Sequence, residues 1–69
     1  MDKDLFEYEM KKAGYRTPEQ RAEALGWTLS THYRRVRNEC ECTESDIKKV
    51  ADLVGWDAAN RIFFGSEVS

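Results

Sequence analysis

The sequence has little of what membranes, covalent scaffolds or metal sites require. Its longest unbroken apolar run is three residues, Ile62-Phe63-Phe64, against the roughly 20 needed to cross a bilayer. No membrane span is expected. The N-terminus alternates charged and apolar residues instead of building the apolar core of a secretory signal, so a cytoplasmic protein is the expectation. The two cysteines, Cys40 and Cys42, lie one residue apart. A bridge between them would close a small strained ring and staple nothing, so reduced thiols are expected. Together with the single histidine, His32, they lack the paired spacing of structural zinc sites. Nor is there a glycine-rich phosphate loop, or a third group to orient a Cys–His pair. Neither metal, cofactor nor enzymatic activity is expected.

Length sets a further bound. Sixty-nine residues, half of a typical domain's length, are expected to form one domain or part of a larger assembly, and a chain near 60 residues buries only about 60% of its unfolded surface. A deep substrate pocket does not fit in so small a core. With 41% hydrophobic and 35% charged residues the composition is globular rather than disordered. What remains is a small binding module.

The single proline and the four glycines punctuate helices. Thr17-Pro18-Glu19-Gln20 combines an N-cap threonine, proline at the first helical position and glutamine three residues after the cap. That helix should run through Leu25 and stop at Gly26. Thr43-Glu44-Ser45-Asp46 is a second start, followed by Ile47, Val50, Ala51 and Val54 at helical spacing and ended by Gly55. Residues 4–13 place Phe6, Met10 and Ala13 on one stripe before Gly14. Asp57 is expected to cap a last helix whose Ala58, Ala59, Ile62 and Phe63 face inward and which ends at Gly65. Residues 28–38 hold neither glycine nor proline and begin with a capping threonine, Thr28. No segment alternates with period two between turn signals. The expectation is an all-α fold of five short helices with linkers of two to five residues. Ala22-Glu23-Ala24-Leu25-Gly26-Trp27 echoes Ala51-Asp52-Leu53-Val54-Gly55-Trp56, which we read as one helix-stop device used twice, not a duplication.

The net charge of −2 hides an uneven distribution. Residues 16–37 carry five arginines (Arg16, Arg21, Arg34, Arg35, Arg37) against Glu19 and Glu23, whereas residues 38–69 carry three basic and seven acidic groups. The basic block also holds Ser30, Thr31 and Tyr33, with Asn38 just beyond it, donors suited to phosphates and base edges. A solvated helix face would look the same. The arrangement of residues 17–38 favours nucleic acid: a capped helix, glycine in a tight turn, and a second capped helix. Ala22 is then the small residue where the helices cross, and Leu25, Trp27 and Val36 are the apolar clamps.

On Thr17-Pro18-Glu19-Gln20-Arg21-Ala22-Glu23-Ala24-Leu25-Gly26-Trp27-Thr28-Leu29-Ser30-Thr31, continued through Thr43, Ile47, Val50 and Ala51 to the Ile62-Phe63-Phe64 ending, the sequence resembles the Cro/repressor-type (lambda-repressor-like) helix-turn-helix family. It is similar to the small phage and prophage regulators of Gram-positive bacteria in that family. The resemblance implies a lambda-repressor-like domain over residues 1–69 with its helix-turn-helix at about 17–38. It implies a Cro-like transcriptional regulator that binds operator DNA through the helix beginning near Thr28. Leu29, Ser30, Tyr33, Arg34 and Arg37 would face bases, and Lys12, Arg16, Thr17, Arg35 and Asn38 would meet phosphates. A homodimer through Ile62, Phe63 and Phe64, or a partner bound there, would complete the assembly. Relatives also include antirepressors that bind a phage repressor protein instead of DNA, so that alternative stays open. Four positions depart from the family pattern. Arg21 and His32 stand where apolar residues are usual, Pro18 replaces a polar residue, and Leu29 sits at a head position that is more often polar. For His32 the expectation is a neutral imidazole against the core; for Cys42 a core thiol, and for Cys40 an exposed one.

Overall fold

The computed structural model describes residues 1–65. Among them are five helices and no strand: α1 (Lys3–Lys12), α2 (Pro18–Leu25), α3 (Leu29–Val36), α4 (Glu44–Val54) and α5 (Trp56–Phe64). Short polar side chains set where four of them start. Asp2 caps α1 by accepting from the Leu5 N–H at 3.1 Å, and Thr28 caps α3 by accepting from the Thr31 N–H at 3.1 Å. Thr17 with Gln20, and Thr43 with Asp46, form reciprocal capping boxes at α2 and α4. Each cap satisfies an N–H that has no partner within the helix, worth about 1 kcal/mol.

Gly26, at φ 72, ends α2 in the left-handed region, where its missing Cβ removes the steric cost. The N–H groups of Gly26 and Trp27 then return to the carbonyls of Glu23 and Ala22 at 3.1 and 2.9 Å. The chain is thereby turned into α3 within three residues. Gly55, at φ 93, does double duty. Its N–H closes α4 on the Ala51 carbonyl at 2.7 Å, and its own carbonyl accepts from Ala59 at 3.0 Å to open α5. The expected Asp57 cap is therefore corrected. Asp57 lies within the first turn, where its charge complements the helix dipole, and the linker is a single residue. Two other boundaries move. Ala13 is the exposed C-cap of α1, and Glu9 takes the inner position instead. Helix α3 ends at Val36, because Asn38 adopts a left-handed φ of 62 that no continuing helix accepts.

The core draws on every helix: Phe6 and Met10 from α1, Ala22 and Leu25 from α2, Val36 from α3, Val50 from α4 and Ile62 from α5, with Trp27 from the turn. Phe6, Met10, Leu25, Val50 and Ile62 are essentially sealed from solvent, and burying a side chain of this size contributes about 2 kcal/mol. The crossing residue Ala22 and the clamps Leu25, Trp27 and Val36 are all buried. Helix α5 packs on α1 and α4, α2 packs on α3, and α4 touches both α1 and α2.

Candidate nucleic-acid interface

Helix α3 is divided sharply in two. His32 and Val36 are buried, while Leu29, Ser30, Tyr33, Arg34 and Arg37 are all exposed. The exposed residues are spaced i, i+1, i+4, i+5 and i+8, which places them on one side of a helix. Leu29 and Tyr33 each keep about two fifths of their surface open, at 39% and 41%. Arg34 has no carboxylate partner among the described residues. Arg37, the C-cap, lies 3.3 Å from Glu39, but both side chains are more than half exposed and such pairs are weak in water. Two guanidinium groups, a hydroxyl and an apolar pair on one face match the chemistry of guanine edges, phosphates and thymine methyls.

What fixes α3 in place is a cluster around Asp46. The Asp46 carboxylate accepts from the Trp27 indole at 3.1 Å, from the Thr43 backbone N–H at 3.1 Å and from the Thr43 hydroxyl at 2.9 Å. It also pairs with the Arg35 guanidinium, whose central carbon sits over Trp27, 4.8 Å from the ring centre. Burial pushes the Asp46 carboxyl up. The bonds from Thr43 and Trp27 and the Arg35 charge outweigh that and hold it below the usual carboxylate range. Arg35 was expected to meet phosphate. Its side chain is only 17% exposed and committed to Asp46, so it is a structural arginine.

Two more residues serve the frame of this face. His32 lies 6.0 Å from Phe6, 6.3 Å from Trp27 and 5.4 Å from Tyr33, the last edge-on. Both of its ring nitrogens are buried without a hydrogen-bond partner. Burial, aided by the Arg21 charge and opposed by Glu7, lowers its pKa. Arg21, 3% exposed, donates to the Tyr15 carbonyl at 3.1 Å and the Arg16 carbonyl at 3.0 Å. It thus clasps the α1–α2 linker, a role that its position in the sequence does not announce.

The remaining expected phosphate contacts separate. Lys12, Arg16 and Thr17 are exposed where α1 ends and α2 begins. Asn38, also exposed, is bonded to the N-terminus: it accepts from the Met1 ammonium and donates to the Met1 carbonyl. Of the expected pairing segment, Ile62 is 1% exposed and belongs to the core, so it has no surface to offer a partner. Phe63 packs partly against that core, and Phe64 is left 67% exposed. Cys40 is exposed, whereas Cys42 is half-buried against the core and burial raises its thiol pKa. Among the described residues no three His, Cys, Asp or Glu side chains converge to hold a metal, and no helix is long and apolar enough to cross a membrane. The chain matches no family model, no curated protein and no solved structure.

Proposed function

We propose that the chain is a small helix-turn-helix transcriptional regulator of the Cro/repressor type, which binds operator DNA by laying α3 in the major groove. The observation that carries this reading is the exposed face of α3, with Arg34 unpaired among the described residues and Arg37 only weakly held. The α2–α3 pair supports it, being closed by a left-handed Gly26 and crossed over the buried Ala22. Arg34 reads guanine through a bidentate contact, Ser30 hydrogen-bonds a neighbouring base or phosphate, and Leu29 and Tyr33 pack against thymine methyls. A second copy, pairing through the exposed Phe64, sets two α3 helices one helical turn apart on the duplex.

A phage repressor protein is the rival partner, and the half-exposed Leu29 and Tyr33 are the observation that favours it. Salt separates the two. Mobility shift on duplexes from the DNA flanking its own gene should lose orders of magnitude in affinity between about 50 and about 200 mM salt as counterions are released. Tight, salt-insensitive binding to a repressor N-terminal domain, with no duplex shifted, overturns the reading.

A further inference from the structure

The loop between α3 and α4 carries both cysteines of the chain, and both line one open cavity of about 360 Å³. The walls of that cavity also include Met1, Arg35, Ile47 and Phe63. Two thiols and a thioether therefore border the same space. Cys40 is exposed, and Cys42 is half-buried against the core. A disulfide between such near neighbours would close a strained ring, so both thiols stay reduced and open to a ligand. Met1 is held as well as the loop is. Its ammonium is bonded to the Asn38 side chain, and the next N–H, that of Asp2, donates to the Ile62 carbonyl at 2.8 Å. Its side chain packs against the core.

Ligand number and softness decide which ion such a set takes. Among the described residues no third His, Cys, Asp or Glu converges with the two thiols, and structural zinc takes four ligands. Cu(I) instead selects thiolate and thioether sulfur, and a pair of thiolates is enough to hold it. Charge points the same way. Binding displaces one proton from each thiol, so Cu(I) on two thiolates carries one net negative charge. Burial raises the Cys42 thiol pKa, with Asp46 and Cys40 adding to it, while the Arg35 and Met1 cations act in the opposite sense. Those two cations therefore reach the sulfur with the sign that a bound anionic centre needs. The Arg35 Nε–H is in addition buried without a hydrogen-bond partner, an unmet donor in the wall of a cavity that a thiolate would satisfy.

We propose that Cys40, Cys42 and Met1 form a site for a single Cu(I) ion, held by the two thiolates with the Met1 thioether as a third ligand. The site is independent of the DNA reading above. Its occupancy ties the loop that follows α3 to the start of α1, beside the Phe63–Phe64 end of α5.

The test is an anaerobic titration of the reduced full-length chain against Cu(I) held by the coloured chelator bicinchoninate, read as loss of the chelator complex. The wild type should withdraw one Cu(I) per chain, and should melt at a higher temperature once loaded because the unfolded chain lacks the assembled site. Cys40→Ser changes an exposed side chain and should melt like the unloaded wild type. It should lose more Cu(I) affinity than the roughly hundredfold that removing a residue behind a metal ligand costs. Cys42→Ala should lose as much. Copper-edge X-ray absorption on the loaded wild type should show sulfur neighbours only, and excess Zn(II) should displace none of the copper. Equal uptake by the wild type and Cys40→Ser, no uptake by either, or nitrogen or oxygen in the copper shell overturns the inference. So does one Cu(I) shared by a pair of chains, which would place the thiolates on different copies.

Discussion

The Trp27 indole N–H donates to the Asp46 carboxylate at 3.1 Å, across 19 residues of sequence. That single bond ties the turn between α2 and α3 to the first turn of α4. The same carboxylate closes the Thr43 capping box and pairs with Arg35, so one side chain satisfies three elements at once. Asp46→Ala would leave the indole N–H and a largely buried guanidinium without partners and would remove the α4 capping box. We expect a loss of about 3 kcal/mol in urea unfolding, a large share of what a small domain possesses.

Arg35→Ala separates the structural from the phosphate-binding role. The substitution should cost about 2 kcal/mol of stability by removing both the ion pair and the packing on Trp27. It should leave the salt slope of duplex binding unchanged in the folded fraction. A flattened slope at full stability would put Arg35 back on the DNA.

His32 predicts a pH dependence. Its folded pKa lies below the unfolded value near 6.5 because burial disfavours the imidazolium. In the window between the two values the unfolded chain binds more protons than the folded one, so stability rises with pH there. Wild-type stability should fall as pH drops below about 7, by at most about 1.4 kcal/mol per unit from this one site, and level off below the folded pKa. His32→Phe should remove that slope. An NMR titration in which His32 charges at the free value would contradict the account.

Much of the fold was legible because its determinants are local. Thr17, Pro18 and Gln20, Thr28, and Thr43 with its acidic turn announce helix starts within four residues, and Gly26 announces a stop. Helical spacing finds Val50 and Ala51 on the inner side of α4, whereas the exposed set on α3 is implied by the family resemblance and not by spacing. Less legible were features whose partners arrive only in three dimensions. Arg21 reads as an anomaly in an apolar position until the Tyr15 and Arg16 carbonyls fold against it. Glu9 looks like surface charge, yet it is buried with Lys12 and Arg61 each 3.6 Å away. Arg35 and Arg34 are neighbours of identical chemistry, and only the position of Asp46 separates their roles. Ile62 and Phe64 belong to one apolar run, and only the packing of α5 assigns the first to the core and the second to the surface.

Arg21 makes a prediction of its own. Arg21→Met keeps the buried volume but leaves the two linker carbonyls without their charged donor. We expect a loss of about 2 kcal/mol and uniformly weaker duplex binding, since the Arg16 backbone is no longer clasped. Base preference should not change. A shift in preferred sequence would mean that Arg21 itself reaches the DNA.

The central claim is that the outer face of α3 reads base sequence, and selection from a randomised duplex pool tests it most directly. Wild-type protein should enrich one motif. Arg34→Ala, at an exposed position, should keep stability within about 0.5 kcal/mol, lose preference at one guanine and bind the selected duplex about 1–3 kcal/mol more weakly. Enrichment of the same motif with undiminished affinity by Arg34→Ala, or of no motif by the wild type, would contradict the account.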